Sequence, residues 1–173
     1  MPSPATAETV TIRAAQPADA AAIAALYNQG IAEGQATFET RPREPKEIDA
    51  WFDPGLAFLV AVDGQRIIGF ARISPYSDRC VYEGVGEHGV YVDREARGRG
   101  VGRRLLEQLA NEAKDRGMYK LTSRVFTTNA ASLAVHRAAG FEEVGVQRRH
   151  GRLDGKWKDC VLVERLLGPA VDA

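Results

Sequence analysis

Three glycines and four arginines crowd a short segment in which a predicted strand is followed by a predicted helix. The glycines are Gly98, Gly100 and Gly102, and the arginines are Arg97, Arg99, Arg103 and Arg104. Glycine permits positive φ and has no Cβ atom, so backbone N–H groups there can approach an anion closely. The first turn of the following helix adds unpaired amides and the positive end of its dipole. The segment therefore predicts a binding site for a phosphate-rich anion.

The spacing of these residues excludes two common nucleotide motifs. A Walker loop ends in Gly-Lys-Ser/Thr, which the segment lacks, and the dinucleotide fingerprint requires G-x-G-x-x-G, whereas the chain has G-x-G-x-G. What remains is R-x-x-G-x-G, formed by Arg97, Gly100 and Gly102. An ordinary basic surface turn is the alternative interpretation of the same residues.

A carboxylate close to this segment is a candidate general base. Glu87 lies three residues before Val90 in a predicted strand. Strand alternation places Glu87 and Tyr91 on one face and His88 and Val90 on the other. Burying a carboxylate in a central strand is costly unless it is paired or has a function. Glu87 is therefore the candidate base and His88 its rival, while a solvent-facing or structurally paired Glu87 is the alternative.

Two arginines precede this strand and could hold an anionic ligand. Arg72 lies inside the apolar run FARISPY, and Arg79 lies in the loop that leads to Glu87. The planar fork of arginine suits a carboxylate or an oxyanion. For Arg72, exposure to solvent or an ion pair with Glu83 or Glu87 is an equally weighted alternative. The basic cluster 148–150 is interpreted as a solvated hairpin end.

The periodicity of hydrophobic residues predicts the strands and helices that position these residues. Strands are predicted at 10–14, 57–62, 67–74, 85–92, 120–126, 141–147 and 158–166. Helices are predicted in the alanine-rich segment after Pro17 and at 45–52, 101–116 and 130–139. The mixture indicates one α/β or α+β domain at 10–167, with a disordered tail at 1–9 and a frayed tail at 168–173.

The composition of the chain limits which partners it can bind and predicts where in the cell it is found. The chain has 173 residues, with 23 basic and 23 acidic side chains, so no net field attracts nucleic acid or a membrane surface. It has neither a long apolar run nor a secretory signal, which predicts a cytoplasmic protein. Cys80 and Cys160 lack metal-ligand spacing, so we expect reduced thiols and no metal site.

Two motifs in order resemble one family. R-x-x-G-x-G is followed by N-x-x-S-x-x-x-H-x-x-x-G-F at 129–141, and together they resemble the GNAT family of N-acetyltransferases, which carry acetyl from acetyl-CoA to amines. The resemblance implies a single GNAT domain, with a central, mixed but mostly antiparallel twisted sheet of six or seven strands flanked by about four helices. It also implies acetyl-CoA contacts for Val90, Tyr91, Val92, Arg97, Gly98, Arg99, Gly100, Val101, Gly102, Arg103, Asn129 and Ser132.

His136 occupies a position where many relatives carry a tyrosine proposed to protonate the departing thiolate. The resemblance therefore makes His136 a candidate general acid. A capping or packing histidine is the alternative, because a thiolate with a pKa of about 8.5 leaves with little help. In the same way, Asn129 could be a plain helix N-cap.

Further segments resemble the group of this family that acetylates phosphinothricin, methionine sulfoximine and arsinothricin. They are Tyr27-Asn28, Thr37 to Pro42, Tyr82 to Val92 and Asp154 to Asp159. The resemblance implies a homodimer and acetylation of the α-amino group of a glutamate-like analogue, which confers resistance. It implies substrate contacts for Phe38, Arg72, Arg79, Tyr82 and Glu87. Acetylation of a protein or peptide, or a non-catalytic acyl-CoA sensor, are the alternatives.

Overall fold

Seven strands form one open, mixed sheet in the computed structural model, which describes residues 9–173. The strands are β1 (Val10–Ala14), β2 (Phe58–Asp63), β3 (Arg66–Pro75), β4 (Val85–Val92), β5 (Lys120–Phe126), β6 (Glu142–Leu153) and β7 (Lys156–Leu166). Their order in the sheet is β1-β2-β3-β4-β5-β7-β6. All neighbours are antiparallel except β4 and β5, which are parallel. The predicted fold class is confirmed.

Helices cover both faces of this sheet. They are α1 (Ala20–Glu33), α2 (Pro45–Ile48), α3 (Val101–Asp115) and α4 (Ala130–Ala138). On one face, α1 packs Ile23 against Val60 and Phe70. On the other face, α3 buries Leu105 and Leu109 completely, each worth about 1.5–3 kcal/mol of hydrophobic stabilisation. Alternation along each strand therefore decides which of two separate cores a side chain joins.

The parallel pair β4–β5 separates halfway along its length. Its ladder covers only Val85–Glu87, and Glu87 is the last residue paired, opposite Thr122. One residue further on, the Ser123 hydroxyl donates to the His88 carbonyl oxygen at 2.8 Å. Beyond that point, β4 is paired with β3 alone, so one edge of its backbone is free to bind an extended ligand.

Two elements differ from their predicted bounds by more than two residues. Helix α2 has only four residues and continues as a 3-10 turn, Asp49–Trp51. Strand β6 extends to Leu153 because a bulge between Gln147 and Gly151 takes up residues that do not pair. Because the alternation of apolar and polar residues is interrupted in a bulge, the strand was predicted to end at Gln147.

The chain ends are described in part. Thr9 donates its hydroxyl to Asp63, and the rest of the predicted N-terminal tail lies outside the described residues. Gly168–Ala170 forms a 3-10 turn next to the buried Leu167. No helix within residues 9–173 combines the length and apolarity needed to cross a membrane.

Candidate active site

The glycine-rich turn has the conformation that an anion site requires. Gly98 and Gly100 have φ values of +79° and +76°, in the left-handed region that favours glycine. A Cβ atom at either position would meet nothing within 4 Å, so backbone conformation rather than crowding demands glycine. Gly100 is the N-cap of α3 and makes no side-chain cap bond. The first amides of α3 are therefore left without a capping side chain.

The arginines of this turn are partly exposed, and three of the four contact an acidic side chain. The N–O distances are 2.9 Å for Arg97–Glu33, 3.0 Å for Arg99–Asp63 and 2.8 Å for Arg103–Glu107. Arg104 instead donates to the Val10 carbonyl oxygen. The positive charges of Arg97, Arg99 and Arg103 are thus balanced by neighbouring carboxylates. The backbone amides and the helix dipole are the groups available to bind an anion.

The free edge of β4 leads from this turn toward the start of α4. The side chains of Val90 and Val92 pack on the α3 core, so it is the backbone of this strand that can pair with a ligand. Asn129 caps α4 by accepting from the Ser132 amide at 3.1 Å, as its alternative interpretation stated. The Asn129 side-chain amide also donates to the Gln35 carbonyl at 2.9 Å. An open strand edge and an uncapped helix N-terminus fit the pantetheine arm and pyrophosphate of acetyl-CoA.

His136 is buried behind β4 and contacts another histidine. Its Nδ1 lies 2.8 Å from the Ser132 carbonyl oxygen, and its Nε2 lies 3.0 Å from Nε2 of His88. A carbonyl only accepts, so the Nδ1 contact places a proton there, and His136 Nε2 accepts from His88. Burial lowers the pKa of both histidines, to about 3 for His88. These contacts agree with the interpretation of His136 as a packing histidine. The Nε2 atom of His88 is engaged by His136, on the face of β4 opposite Glu87.

A cavity of about 630 Å³ lies on the α1 face of the sheet. Glu87 lines it at the point where β4 and β5 separate. Arg124, from β5, donates to Glu87 Oε1 at 2.9 Å and to Gln147 Oε1 at the same distance. The side chains of Glu87 and Arg124 are 38% and 35% exposed, so both are paired and accessible from the cavity. The sequence prediction missed Arg124, although it is a charge inside the apolar strand β5, the same signal that drew attention to Arg72.

Arg72 also lines this cavity, and no carboxylate among the described residues pairs with it. Its guanidinium carbon lies 4.5 Å from the centroid of the Trp51 ring, a cation–π contact. Its Nε is buried and makes no hydrogen bond in the described part of the chain. Burial lowers the pKa of Arg72. Neither Glu83 nor Glu87 is its partner, and Arg72 is thus a half-buried cation facing a cavity.

Aromatic side chains form the wall of the cavity around Arg72. Tyr91 stacks on Phe70 with a centroid distance of 5.0 Å, and burial raises the pKa of Tyr91. Phe38 packs edge-on against Phe126 at 4.8 Å and reaches the cavity from the loop after α1. The β6 bulge places His150 in the lining. Residues 148–150 are exposed, as the sequence predicted, but they lie in a bulge within β6 and not at the end of a hairpin.

Arg79 and Tyr82 do not line the cavity. They contact each other in the connection between β3 and β4, where the Arg79 guanidinium carbon lies 5.7 Å from the Tyr82 ring centroid. Tyr82 is 37% exposed. The structure therefore brings together Phe38, Arg72 and Glu87 from the predicted substrate residues and leaves these two outside.

A strand edge, a glycine-rich helix N-terminus and a carboxylate beside a cavity define a class of acyl-transferring enzyme. Residues 23–141 match the family described as "Acetyltransferase (GNAT) family", and the chain belongs to this family. It is accordingly an acetyltransferase, and acetyl-CoA is its donor. The predictions of family, enzyme class and acetyl-CoA are confirmed.

Individual relatives carry more specific names. An L-methionine sulfoximine/L-methionine sulfone acetyltransferase of Pseudomonas paraeruginosa is 32% identical over 170 residues, which cover 95% of this chain and 99% of the relative. A phosphinothricin acetyltransferase of Sinorhizobium meliloti, solved with acetyl-CoA, has a TM-score of 0.88 at 31% identity, covering 95% and 92% of the two chains. A ribosomal-protein-alanine N-acetyltransferase of Brucella melitensis has a TM-score of 0.87 at 32% identity, covering 91% and 99%.

Proposed function

We propose that the chain acetylates the α-amino group of a small amino acid analogue with a polar tetrahedral tail. Phosphinothricin, methionine sulfoximine and arsinothricin are candidates, and their acetylation would confer resistance. The observation that carries the proposal is Arg72, an unpaired cation in the same cavity as the carboxylate of Glu87. A zwitterionic amino acid brings a carboxylate for the first group and an ammonium for the second. The names of the relatives from Pseudomonas paraeruginosa and Sinorhizobium meliloti support the same class.

Glu87 serves as the general base in this proposal. An ammonium has no free electron pair, so it must lose a proton before its nitrogen can form a bond to the acetyl carbon. Glu87 accepts that proton, directly or through water, and passes it to solvent. Acetyl-CoA supplies the activated thioester, whose C–S bond breaks as the amide bond forms. The second proton released by the nitrogen neutralises the thiolate, so His136 has no required step.

The backbone of β4 orients the reaction. In this proposal a backbone amide near Val90 polarises the thioester carbonyl, and the first amides of α3 hold the pyrophosphate. Arg97, Arg99 and Arg103 lie beside that site, and Asn129 and Ser132 lie at the start of α4. We assign acetyl transfer to a ternary complex, because neither cysteine lies in these segments.

We also propose a cytoplasmic homodimer that contacts through the β3–β4 connection. Tyr76, Val81 and Tyr82 in this connection are exposed apolar side chains, which is typical of a contact surface. Pairing there would shield Tyr82 and place Arg79 at the interface. Light scattering combined with size-exclusion chromatography measures the mass in solution, and a monomer at micromolar concentration contradicts this assembly.

The test of the proposed function is release of CoA from acetyl-CoA in the presence of candidate acceptors. The panel contains phosphinothricin, methionine sulfoximine, methionine sulfone, arsinothricin, glutamate and peptides that begin with alanine. We expect the highest kcat/KM for one of the tetrahedral-tailed amino acids. Turnover of the peptides alone would favour a protein substrate, as the name of the Brucella melitensis relative suggests. Binding of acetyl-CoA without turnover of any amine would favour a sensor.

A further inference from the structure

The charged side chains that line the cavity are unequally paired. They are Glu39, Arg72, Glu87 and Arg124. Glu39 contacts Arg43 at 3.0 Å, and Glu87 contacts Arg124 at 2.9 Å. Arg72 alone among these four has no partner of opposite charge in residues 9–173. The cavity therefore has one cation in excess.

Binding of an amino acid changes the pairing of Glu87. The substrate ammonium must approach this carboxylate to lose its proton, and it then competes with Arg124 for the single negative charge of Glu87. Arg124 engages only Oε1 of Glu87, and no group in the described chain donates to Oε2. The ammonium can therefore bind at Oε2. As it neutralises the negative charge of Glu87, the Arg124 guanidinium loses its counter-charge and its bond to Oε1 weakens.

Charge balance in the complex then depends on the tail of the substrate. Arg72 and Arg124 contribute two positive charges and Glu87 one negative charge, while Glu39 and Arg43 cancel. A zwitterion with a neutral tail adds no net charge and leaves one cation unpaired. An amino acid with an anionic tail adds one negative charge and balances the site. Unpaired charges in a partly buried site are costly, so the cavity favours the anionic tail.

The positions of the two arginines suit such a molecule. Arg72 lies on β3, opposite Gly89 of β4, and Arg124 lies on β5, two residues beyond the partner of Glu87. Two interstrand spacings separate β3 from β5 by roughly 10 Å where the strands are paired. The separation of β5 from β4 beyond Glu87 adds to this distance at Arg124. Gln147 accepts from Nε of Arg124 at 2.9 Å, so the guanidinium remains anchored when its bond to Glu87 is released.

We propose that Arg124 binds the anionic tail of the substrate and selects amino acids whose side chain ends in an acid, such as a phosphinate or a carboxylate. Neutral tails of the same shape are disfavoured. This inference rests on the proposed function, because it concerns the same cavity and the same acceptor.

The test compares phosphinothricin, whose phosphinate tail is anionic, with methionine sulfone, whose tail is neutral. Both share the amino and carboxylate groups, so the ratio of their kcat/KM values isolates the tail. We expect the wild-type enzyme to prefer phosphinothricin. In Arg124→Gln the ratio should fall roughly ten- to hundredfold, even if a changed environment of Glu87 slows both reactions.

Two further variants control this result. Arg124→Lys keeps the charge but loses the planar fork, so its ratio should lie between wild type and Arg124→Gln. It also serves as the test if Arg124→Gln does not fold. Arg116→Gln removes an arginine at the end of α3, outside the cavity lining, and should leave the ratio unchanged.

The outcomes separate the two proposals. If the wild-type enzyme acetylates neither these two compounds nor methionine sulfoximine nor arsinothricin, the proposed function is wrong. If it acetylates methionine sulfoximine but neither phosphinothricin nor arsinothricin, the proposed function stands and the assignment of Arg124 is wrong. If it acetylates both phosphinothricin and methionine sulfone and the Arg124 variants keep the wild-type ratio, the proposed function stands and the assignment of Arg124 is wrong. A wild-type preference for methionine sulfone also contradicts the assignment.

Discussion

The glycine-rich turn and the cavity both contain arginine, but they use its charge in opposite ways. In the turn, Arg97 and Arg99 are partly exposed and each contacts a carboxylate on a neighbouring element. In the cavity, Arg72 is half-buried, stacks on Trp51 and has no acidic partner in the described chain. The turn presents backbone amides to its ligand, whereas the cavity presents an uncompensated charge. The density of arginine in the sequence therefore does not show where the unpaired charge lies.

The two arrangements differ in energetic terms. An exposed ion pair contributes about 0–1 kcal/mol to stability, so the pairs of the turn can be exchanged at little cost. A desolvated cation without a partner opposes folding, and the cation–π contact of Arg72 offsets part of this cost. The presence of a charge under those conditions supports the proposed ligand-binding role of Arg72.

The largest effect is expected at the cavity carboxylate. Glu87→Gln should lower kcat by roughly 10²- to 10⁴-fold because the general base is lost, about 3–5 kcal/mol in the barrier. Steady-state kinetics with the best acceptor measure this, and the KM for acetyl-CoA should change little. Glu83→Gln, which alters an exposed carboxylate outside the cavity lining, is the matched control. A kcat for Glu87→Gln close to that of wild type would remove Glu87 from the mechanism.

The next effect concerns the other face of β4, where His88 is buried against His136. The folded pKa of His88 is about 3, below its ordinary value of 6.5, so the unfolded chain binds protons first as pH falls. The stability of the neutral pair is present above pH 6.5 and is lost as pH falls toward 3. The free energy of unfolding should decrease by up to about 1.4 kcal/mol per pH unit for His88 in this range. The lowered pKa of buried His136 acts in the same direction.

Urea unfolding at pH 7, 6 and 5 measures this slope. His88→Asn should show a smaller slope than wild type because one of the two buried groups no longer titrates. Equal slopes in the two proteins would show that the histidine pair is not the source of the pH dependence.

A smaller change is expected when the unpaired cation is removed. Arg72→Met deletes a desolvated charge and keeps an apolar stem against Trp51. The free energy of unfolding should therefore stay within about 1 kcal/mol of wild type or rise, even though amino acid binding is lost. A loss of several kcal/mol would show that Arg72 is a structural residue, contrary to the comparison with the turn.

The smallest effect is expected in the turn itself. Arg97→Gln removes an arginine that is already paired with Glu33, while the amides of α3 remain. The KM for acetyl-CoA should rise only about two- to fivefold, the scale of an exposed ion pair. Arg116→Gln controls for general loss of positive charge. A rise of more than about fiftyfold would mean that Arg97 leaves Glu33 and binds phosphate directly.

Strand β4 and the glycine-rich turn after it were predictable from the sequence because their signals are local. Glycines at the positive-φ positions Gly98 and Gly100 are recognisable without a structure. Alternation in β4 placed Glu87 and His88 on opposite faces. In the structure the Glu87 side chain contacts Arg124, whereas the His88 ring packs against His136 and Phe141. Local periodicity also marked β4 and β5 with the residue bounds that are found.

Contacts between distant segments were not predictable in the same way. Trp51 stacks on Arg72 from a short turn after α2, and His150 enters the cavity through a bulge that has no sequence period. The pairing of Arg97 with Glu33 depends on how α1 packs beside the turn. Arg124 could have been noticed as a charge within an apolar strand, but its partner Glu87 is 37 residues away.

The central claim is that Arg72 binds the carboxylate of an amino acid substrate. A thermodynamic cycle that combines one protein variant with one change in the substrate tests this claim most directly. The measurement is kcat/KM for phosphinothricin and for its decarboxylated amine, each with wild type and Arg72→Gln. We predict that Arg72→Gln lowers kcat/KM for the amino acid by about 2–5 kcal/mol in free-energy terms and leaves the poor rate with the amine nearly unchanged. Equal losses for both compounds would show that Arg72 does not contact the carboxylate and would contradict this account of the cavity.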